Sequence, residues 1–415
     1  MVFSQTMDAK LPRVYVPGPL IVGAGPSGLA IAACLSKRGV PSVILEKENC
    51  LASLWRLKAY DSLKLHLPKK FCQLPHFPIP SDFPNYPSKE QFIDYLDSYA
   101  KHFSISPMFG YEVKSASYNA AGGFWRVVAG GSEFVSRWLV VATGDNAAPA
   151  VPEFDGVEDF GGKVMHSCEY KNGGEFKGRK VLVVGCGNAG MEISLNLCNN
   201  GARVSLVVRH KLHILPRDIL GRSSFAVAVD LLKLFPLRFV DWFLIISSRL
   251  ALGDTSKFGI LRPKDGPLKL KGKTGKTPVL DVGSLSKIKS GQIKVVGEIR
   301  RFTSRHVEFM DGKVEEFDSV ILATGYRSNV ASWLKEESLP GKGQGDNTKK
   351  SWLSNIKGKN GIYSIGFTGQ GLLGTSIDAE RTAEDIGRQW NSNRKYLSSK
   401  INPYMYHEIG AVCSS

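Results

Sequence analysis

Apolar and polar positions along the chain follow two periods, and their order predicts the architecture. Leu20-Ile21-Val22 is a short unbroken apolar run, the pattern of a strand buried on both faces. It enters the turn Gly23-Ala24-Gly25-Pro26-Ser27-Gly28, after which Leu29, Ala32, Ala33 and Leu35 recur at helical spacing until Gly39. A second run, Val43-Ile44-Leu45, ends on Glu46. Strand, glycine turn, helix and strand make the βαβ unit that cradles a dinucleotide. The same order returns 162 residues later. There the strand is Val181–Val184, the turn Gly185-Cys186-Gly187-Asn188-Ala189-Gly190, the helix Met191 to Asn200, and the next strand Val204–Val208, ending on Arg209.

Between the two units, Ser88-Lys89-Glu90-Gln91 predicts a capping box for a helix over Phe92 to Ala100. The five prolines between Pro75 and Pro87 predict a loop, either a rigid connection or a pocket wall. Trp138–Val141 alternates like a strand and runs into Ala142-Thr143-Gly144, with Pro149 and Pro152 marking a boundary. Ser319–Leu322 runs in the same way into Ala323-Thr324-Gly325. Two such strands, one on each side of the second unit, predict two crossings between nested domains. A strand over Ile362–Phe367, a glycine-rich loop Thr368–Gly374 and a helix Ile377–Trp390 complete the first unit. The fold class expected is α/β: two Rossmann-like domains, the first spanning 15–150 and 327–395, the second, 151–326, inserted into it.

The charges that end the two units differ. Gly23 and Gly185 allow the tight turns, Gly25 and Gly187 let backbone approach a pyrophosphate, and Gly28 and Gly190 let helix pack on sheet. Pro26, Ser27, Asn188 and Ala189 open helices whose positive N-terminal ends favour phosphate. Glu46 lies 18 residues past Gly28, where a carboxylate accepts from ribose hydroxyls and repels a 2′-phosphate. Arg209 lies 19 residues past Gly190, where a guanidinium forks onto that phosphate. The first unit is therefore read as an FAD site and the second as an NADPH site. Thr143, Thr324 and Gly325, at the ends of the crossing strands, join the cofactor-binding set.

Composition narrows the class. Lys and Arg number 54 against 38 acids, a net charge of +16, yet the densest basic stretch, Lys264 to Lys276, is rich in Gly and Pro and lacks interleaved aromatics. It reads first as a solvated loop and second as a general attraction for anionic cofactors and substrates, and no nucleic-acid partner is expected. The seven cysteines form no CxxC, which removes disulfide-reductase chemistry, a zinc knuckle and a disulfide framework; no metal site is expected. Residues 1–13 lack a secretory pattern, which predicts a cytoplasmic protein. The most apolar later stretch, Phe225 to Leu252, is interrupted by Asp230, Lys233, Pro236, Arg238 and Asp241. It predicts a pair of helices at a domain interface; the alternative is a peripheral contact with one leaflet, at the cytosolic face of the endoplasmic reticulum. Oligomeric state is not encoded in any pattern here.

With no dithiol and no iron-ligating cysteine spacing, dioxygen remains as the acceptor of the flavin's electrons. Between the two units, Phe160 to Tyr170 matches FxGxxxHxxxY, and with both glycine turns it resembles the class B flavin-containing monooxygenases. Five further blocks, 60–69, 71–75, 77–87, 142–149 and 371–381, resemble the plant YUCCA flavin monooxygenases. That resemblance covers residues 15 to 390. It implies auxin biosynthesis: NADPH reduces FAD, dioxygen adds at flavin C4a, and indole-3-pyruvate, a 2-oxo acid, is converted to indole-3-acetic acid as carbon dioxide leaves. Gly369 and Gln370 depart from the basic pair expected there. The resemblance puts Trp55 and His66 beside FAD and Asn146 in contact with the reacting intermediate. Arg56 and Lys64 are nominated for the substrate carboxylate, and His166 is read as a linker residue rather than a proton-transfer group. The alternatives are N- or S-oxygenation of a soft nucleophile and, in another class, a non-catalytic NADPH sensor.

Overall fold

The computed structural model describes residues 11–335, 353 and 356–400. The leader reading of residues 1–13, Cys413 and most of 336–355 therefore fall largely outside the described residues. The run Leu20–Val22 lies at the centre of a five-stranded parallel sheet. Its order is Ile362–Ser364, Leu139–Val141, Leu20–Val22, Val43–Glu46 and Met108–Phe109. A second parallel sheet runs Lys163–His166, Ser319–Leu322, Lys180–Val184, Arg203–Val207 and Ile293–Val296. Parallel strands covered on both faces explain the unbroken apolar runs: Leu20, Ile21, Val181, Leu182 and Val183 are all fully buried.

The first sheet receives its last strand, Ile362–Ser364, only after the chain has built the second sheet and returned. The way out and the way back lie side by side. Ala148–Pro149 pairs antiparallel with Tyr326–Arg327. Ala150 N–H donates to Gly325 O at 2.9 Å, and the Thr324 hydroxyl donates to Ala150 O at 2.6 Å.

Helix α1, Pro26–Ser36, follows the first glycine turn and is buried from Gly28 to Leu35, because the C-terminal helix Gly371–Lys400 covers the side turned away from the sheet. Helix α2, Lys89–His102, carries the expected capping box: Gln91 N–H donates to Ser88 Oγ at 3.2 Å, and Ser88 N–H to Gln91 Oε1 at 2.9 Å. Helix α3, Asn188–Asn199, follows the second turn. The C-terminal helix begins at Gly371, six residues before the expected Ile377. Glycines argued for a loop there, but Gly374 sits inside the first helical turn, where a Cβ would come within 2.7 Å of both Gln370 Cβ and Thr368 Oγ1.

The stretch 225–252 forms helices α4, Ser224–Leu232, and α5, Leu237–Leu252. Ala228, Val240 and Leu244 pack on Leu215, and Phe225 meets Phe71 of the first unit edge-on at 5.0 Å. The interface reading holds for that face alone. Leu234, Phe235, Phe239 and Trp242 point outward, Leu234 at 79% exposure.

Candidate functional site

Each glycine turn stands at the carboxyl end of its central strand, where ligands of open parallel sheets bind. At both turns the outer glycines are demanded by the protein itself. Gly23 and Gly185 take φ of +107° and +109°, and Cβ atoms there would meet the carbonyls of Ala142 and Ala323 at 2.8 and 2.5 Å. Cβ atoms on Gly28 and Gly190 would lie 1.9 and 1.8 Å from the carbonyl oxygens of Gly23 and Gly185.

The middle glycines differ. Gly25 and Gly187 have φ of −79° and −72°, values any residue adopts, and a Cβ on either meets nothing within 4 Å. What needs the room is therefore outside the chain. Neither α1 nor α3 has a side-chain cap or an acid in its first turn, so the N-terminal N–H groups are left for an anion. A pyrophosphate satisfies both conditions, and the residues fit a dinucleotide in each cradle.

Glu46 is 5% exposed and turned toward its cradle. Its Oε2 accepts from Ala24 N–H in the turn at 2.8 Å, while Oε1 accepts from Glu48 N–H and Ser53 Oγ, both at 3.1 Å. The carboxylate is thus fixed by three donors, with acceptor capacity remaining on Oε2 for a ribose hydroxyl. The Thr143 hydroxyl, at the end of the adjoining strand, is buried with no hydrogen-bond partner among the described residues, an orphan of the kind a bound cofactor satisfies. Thr324, its counterpart in the second unit, is spent on the crossing through Ala150 O. Gly325 is spent there too, its carbonyl also lying 3.0 Å from His166 Nε2.

Arg209 lies just past Val207, which registers with Val184, the residue before the second turn. Its side chain is exposed, with Nε 2.9 Å from His210 Nε2 and Nη1 3.7 Å from Glu298. The stretch read from sequence as a solvated loop is a helix over Pro267–Thr274, opened by Pro267 at its first position and ended by Gly275 in a left-handed conformation, and Lys276 just beyond it adds a cation here. It acts on Cys186 in the turn, whose thiol burial pushes up to about 11. It also acts on His210, held below the usual imidazole value first by burial and then by Arg209 and Lys276. No local pattern marks Lys276; only the fold brings it to the cradle.

His166 ends its strand with both ring nitrogens engaged. Cys168 N–H donates to Nδ1 at 3.2 Å, which leaves the proton on Nε2 to donate to Gly325 O. Burial holds it below its usual value, and its ring packs edge-on against Tyr326 at 5.1 Å. Tyr170 OH donates to Asn196 Oδ1 of α3 at 2.5 Å. The FxGxxxHxxxY segment therefore braces the crossing and α3.

Trp55 is part-buried and packs edge-on against Phe92 at 4.7 Å. Arg56 is held by Asp97, with Nη2 2.5 Å from each carboxylate oxygen, which removes it from substrate duty. Asn146 is exposed between Leu139–Val141 and the crossing and makes no hydrogen bond among the described residues. His66 Nε2 lies 2.7 Å from Glu192 Oε1 on α3, outside hydrogen-bond geometry, while Tyr60 OH donates to Glu192 Oε2 at 2.8 Å. This polar junction joins the two units.

Comparison with known proteins agrees with this construction. The family model described as flavin-binding monooxygenase-like matches residues 19–340. Indole-3-pyruvate monooxygenase YUCCA6 of Arabidopsis thaliana is 54% identical over 389 residues, 92% of each chain. Indole-3-pyruvate monooxygenase YUCCA1 of Oryza sativa subsp. japonica is 54% identical over 385 residues, 91% of this chain and 93% of the relative. Among solved structures, an oxidized steroid monooxygenase bound to NADP superposes with a TM-score of 0.72 at 18% identity, covering 93% of this chain and 86% of its own. A flavin-containing monooxygenase from Stenotrophomonas maltophilia gives 0.68 at 22% identity, covering 91% and 99%. At these identities the two structures speak for the fold.

Proposed function

The chain belongs to the flavin-binding monooxygenase-like family and, within it, to the YUCCA indole-3-pyruvate monooxygenases, and from that premise we infer a reaction of two cofactors and one 2-oxo acid. Indole-3-pyruvate, dioxygen, NADPH and a proton give indole-3-acetic acid, carbon dioxide, NADP⁺ and water. The observation that carries this reading is one chain holding two like cradles that end in opposite charges, Glu46 and Arg209. When bound, FAD supplies the ring that takes a hydride from NADPH and activates dioxygen.

The chain's own residues position and enclose. Gly23, Gly25, Pro26, Ser27 and Gly28 receive the FAD pyrophosphate at the start of α1, Glu46 accepts from the ribose hydroxyls, and the Thr143 hydroxyl donates to the cofactor. Gly185, Gly187, Asn188, Ala189 and Gly190 do the same for NADPH, with Arg209 and Lys276 on its 2′-phosphate. The Asn146 amide donates a hydrogen bond to the reacting oxygen of the substrate. The test is the purified protein itself. It carries bound flavin and converts indole-3-pyruvate with one NADPH consumed per product, while a thioether leaves NADPH use uncoupled. Coupled oxygenation of the thioether, with none of the 2-oxo acid, sinks the reading.

Among the described residues no helix is long and apolar enough to cross a membrane. The finer location rests on the outward face of α4 and α5, where Phe235, Phe239 and Trp242 are flanked by Lys233 and Arg238. Apolar rings beside cations suit contact with one anionic leaflet. Co-sedimentation with anionic vesicles, lost in Trp242→Ser/Phe239→Ser, is the expected result; no sedimentation of the parent protein refutes it.

A further inference from the structure

A cavity of about 290 Å³ lies where the two units meet. The first unit contributes Ser62, Lys64 and His66; the second contributes Glu192 from α3, Arg217 and Leu280. It borders the NADPH cradle directly, because Leu280 N–H donates to Asn188 Oδ1, at the first residue of α3, at 3.0 Å. Its volume falls just short of the range for small-molecule sites, about 300 Å³ and upward, and junctions between domains are where such sites form.

Arg217 has a carboxylate nearby, in a long ion pair with Asp218, but no hydrogen-bonded anion among the described residues. Its guanidinium lies over the Tyr86 ring, Cζ 4.2 Å from the centroid. Among the described residues Nε is buried and makes no hydrogen bond, its carboxylate contact being 3.5 Å to Asp218 Oδ2. Asp218 is itself engaged, accepting from Tyr86 OH at 2.5 Å, so ring and acid together hold the guanidinium in place. A planar fork with free donors in a part-buried wall matches a carboxylate. The one acid of the lining, Glu192, accepts from Tyr60 OH on Oε2 and has His66 Nε2 at 2.7 Å from Oε1, a contact outside hydrogen-bond geometry. Lys64 adds a second cation.

We propose that this cavity receives the 2-oxo acid and that Arg217 forks onto its carboxylate, with Lys64 in support. The proposal deepens the substrate reading above and rests on it. Arg217 is then the residue that makes the enzyme prefer an acid to a neutral molecule of the same shape, since an ester leaves its donors unpaired.

The experiment compares indole-3-pyruvate with its methyl ester on the parent enzyme, Arg217→Ala and Arg217→Lys, each with flavin content and NADPH KM measured. Losing a charge-assisted fork raises KM for the acid roughly 10- to 100-fold in Arg217→Ala. The ester and NADPH values stay put, and Arg217→Lys falls between. Unchanged KM for the acid overturns the assignment, as does an equal rise for acid and ester. Binding of the acid, read from protein fluorescence without turnover, separates this proposal from the reaction. A parent protein that binds the acid through Arg217 but makes no product refutes the reaction alone. Turnover with binding indifferent to Arg217 refutes the cavity alone.

Discussion

Gly187 and Gly190 stand three residues apart on the same turn, and alanine at each should produce opposite damage. At Gly190 the new Cβ would lie 1.8 Å from Gly185 O, a backbone atom that cannot swing aside. The helix must lift from the sheet, at a cost of roughly 3 kcal/mol, the upper end for overpacking. At Gly187 the Cβ meets nothing within 4 Å and φ is −72°. Fewer unfolded conformations then stabilise the protein by about 0.4–1 kcal/mol, which is about 1–3 °C in Tm. The same methyl projects into the room the pyrophosphate needs and displaces it from the N-terminal N–H groups of α3. Loss of one or two charge-assisted hydrogen bonds, about 1.5–3 kcal/mol, raises the NADPH KM about 10- to 100-fold. The assay is a thermal melt beside stopped-flow reduction of the flavin over an NADPH series. Gly187→Ala with a raised Tm and an unchanged NADPH KM would refute the cradle.

Other consequences follow from single contacts. Arg209→Glu should raise the NADPH KM at least tenfold more than that for NADH, because only NADPH carries the 2′-phosphate; equal effects in steady-state kinetics would remove Arg209 from that role. Lys276→Ala should shift the same ratio in the same direction by a smaller factor, checked in the same assay. Glu46→Ala strands Ala24 N–H and the ribose hydroxyls, so the purified protein should lose most of its flavin absorbance, while Glu46→Gln keeps part of it. His166 and His213 are buried with imidazoles held below their usual value, so the unfolded chain binds the extra protons. Stability is complete above about pH 6.5 and falls as pH drops through that value, and His166→Asn should flatten the slope of Tm between pH 7 and pH 5.

Both cradles could be read from the chain because everything that defines them is local. An apolar run, three glycines at fixed offsets and a charged residue at the end of the next strand are all set by backbone sterics within one βαβ unit. The capping box at Ser88 and Gln91 was legible for the same reason. What escaped depends on where distant segments meet. Thr143 and Thr324 follow like strands, yet one hydroxyl is an orphan and the other is tied to Ala150 O, a difference made by the crossing. Arg56 looked available until Asp97, 41 residues away, came to meet it. Lys276 and Arg217 lie in stretches with no periodic signal, and only the packing of the second unit brings one beside Cys186 and the other into the cavity wall. The outward face of α5 was hidden by composition, since Trp242 and Val240 look equally apolar in a sequence.

The paired ribbon of Ala148–Pro149 and Tyr326–Arg327 has a consequence for how such a protein can be rebuilt. Because exit and return lie side by side and the host sheet completes itself through Ile362–Ser364, the guest unit should be exchangeable as a cassette wherever its replacement keeps the contacts of Glu192, Asp218 and Phe225 with the host. Exchanging the segment between the two arms for one that ends in an acid should convert the enzyme's fuel from NADPH to NADH while its flavin chamber stays untouched.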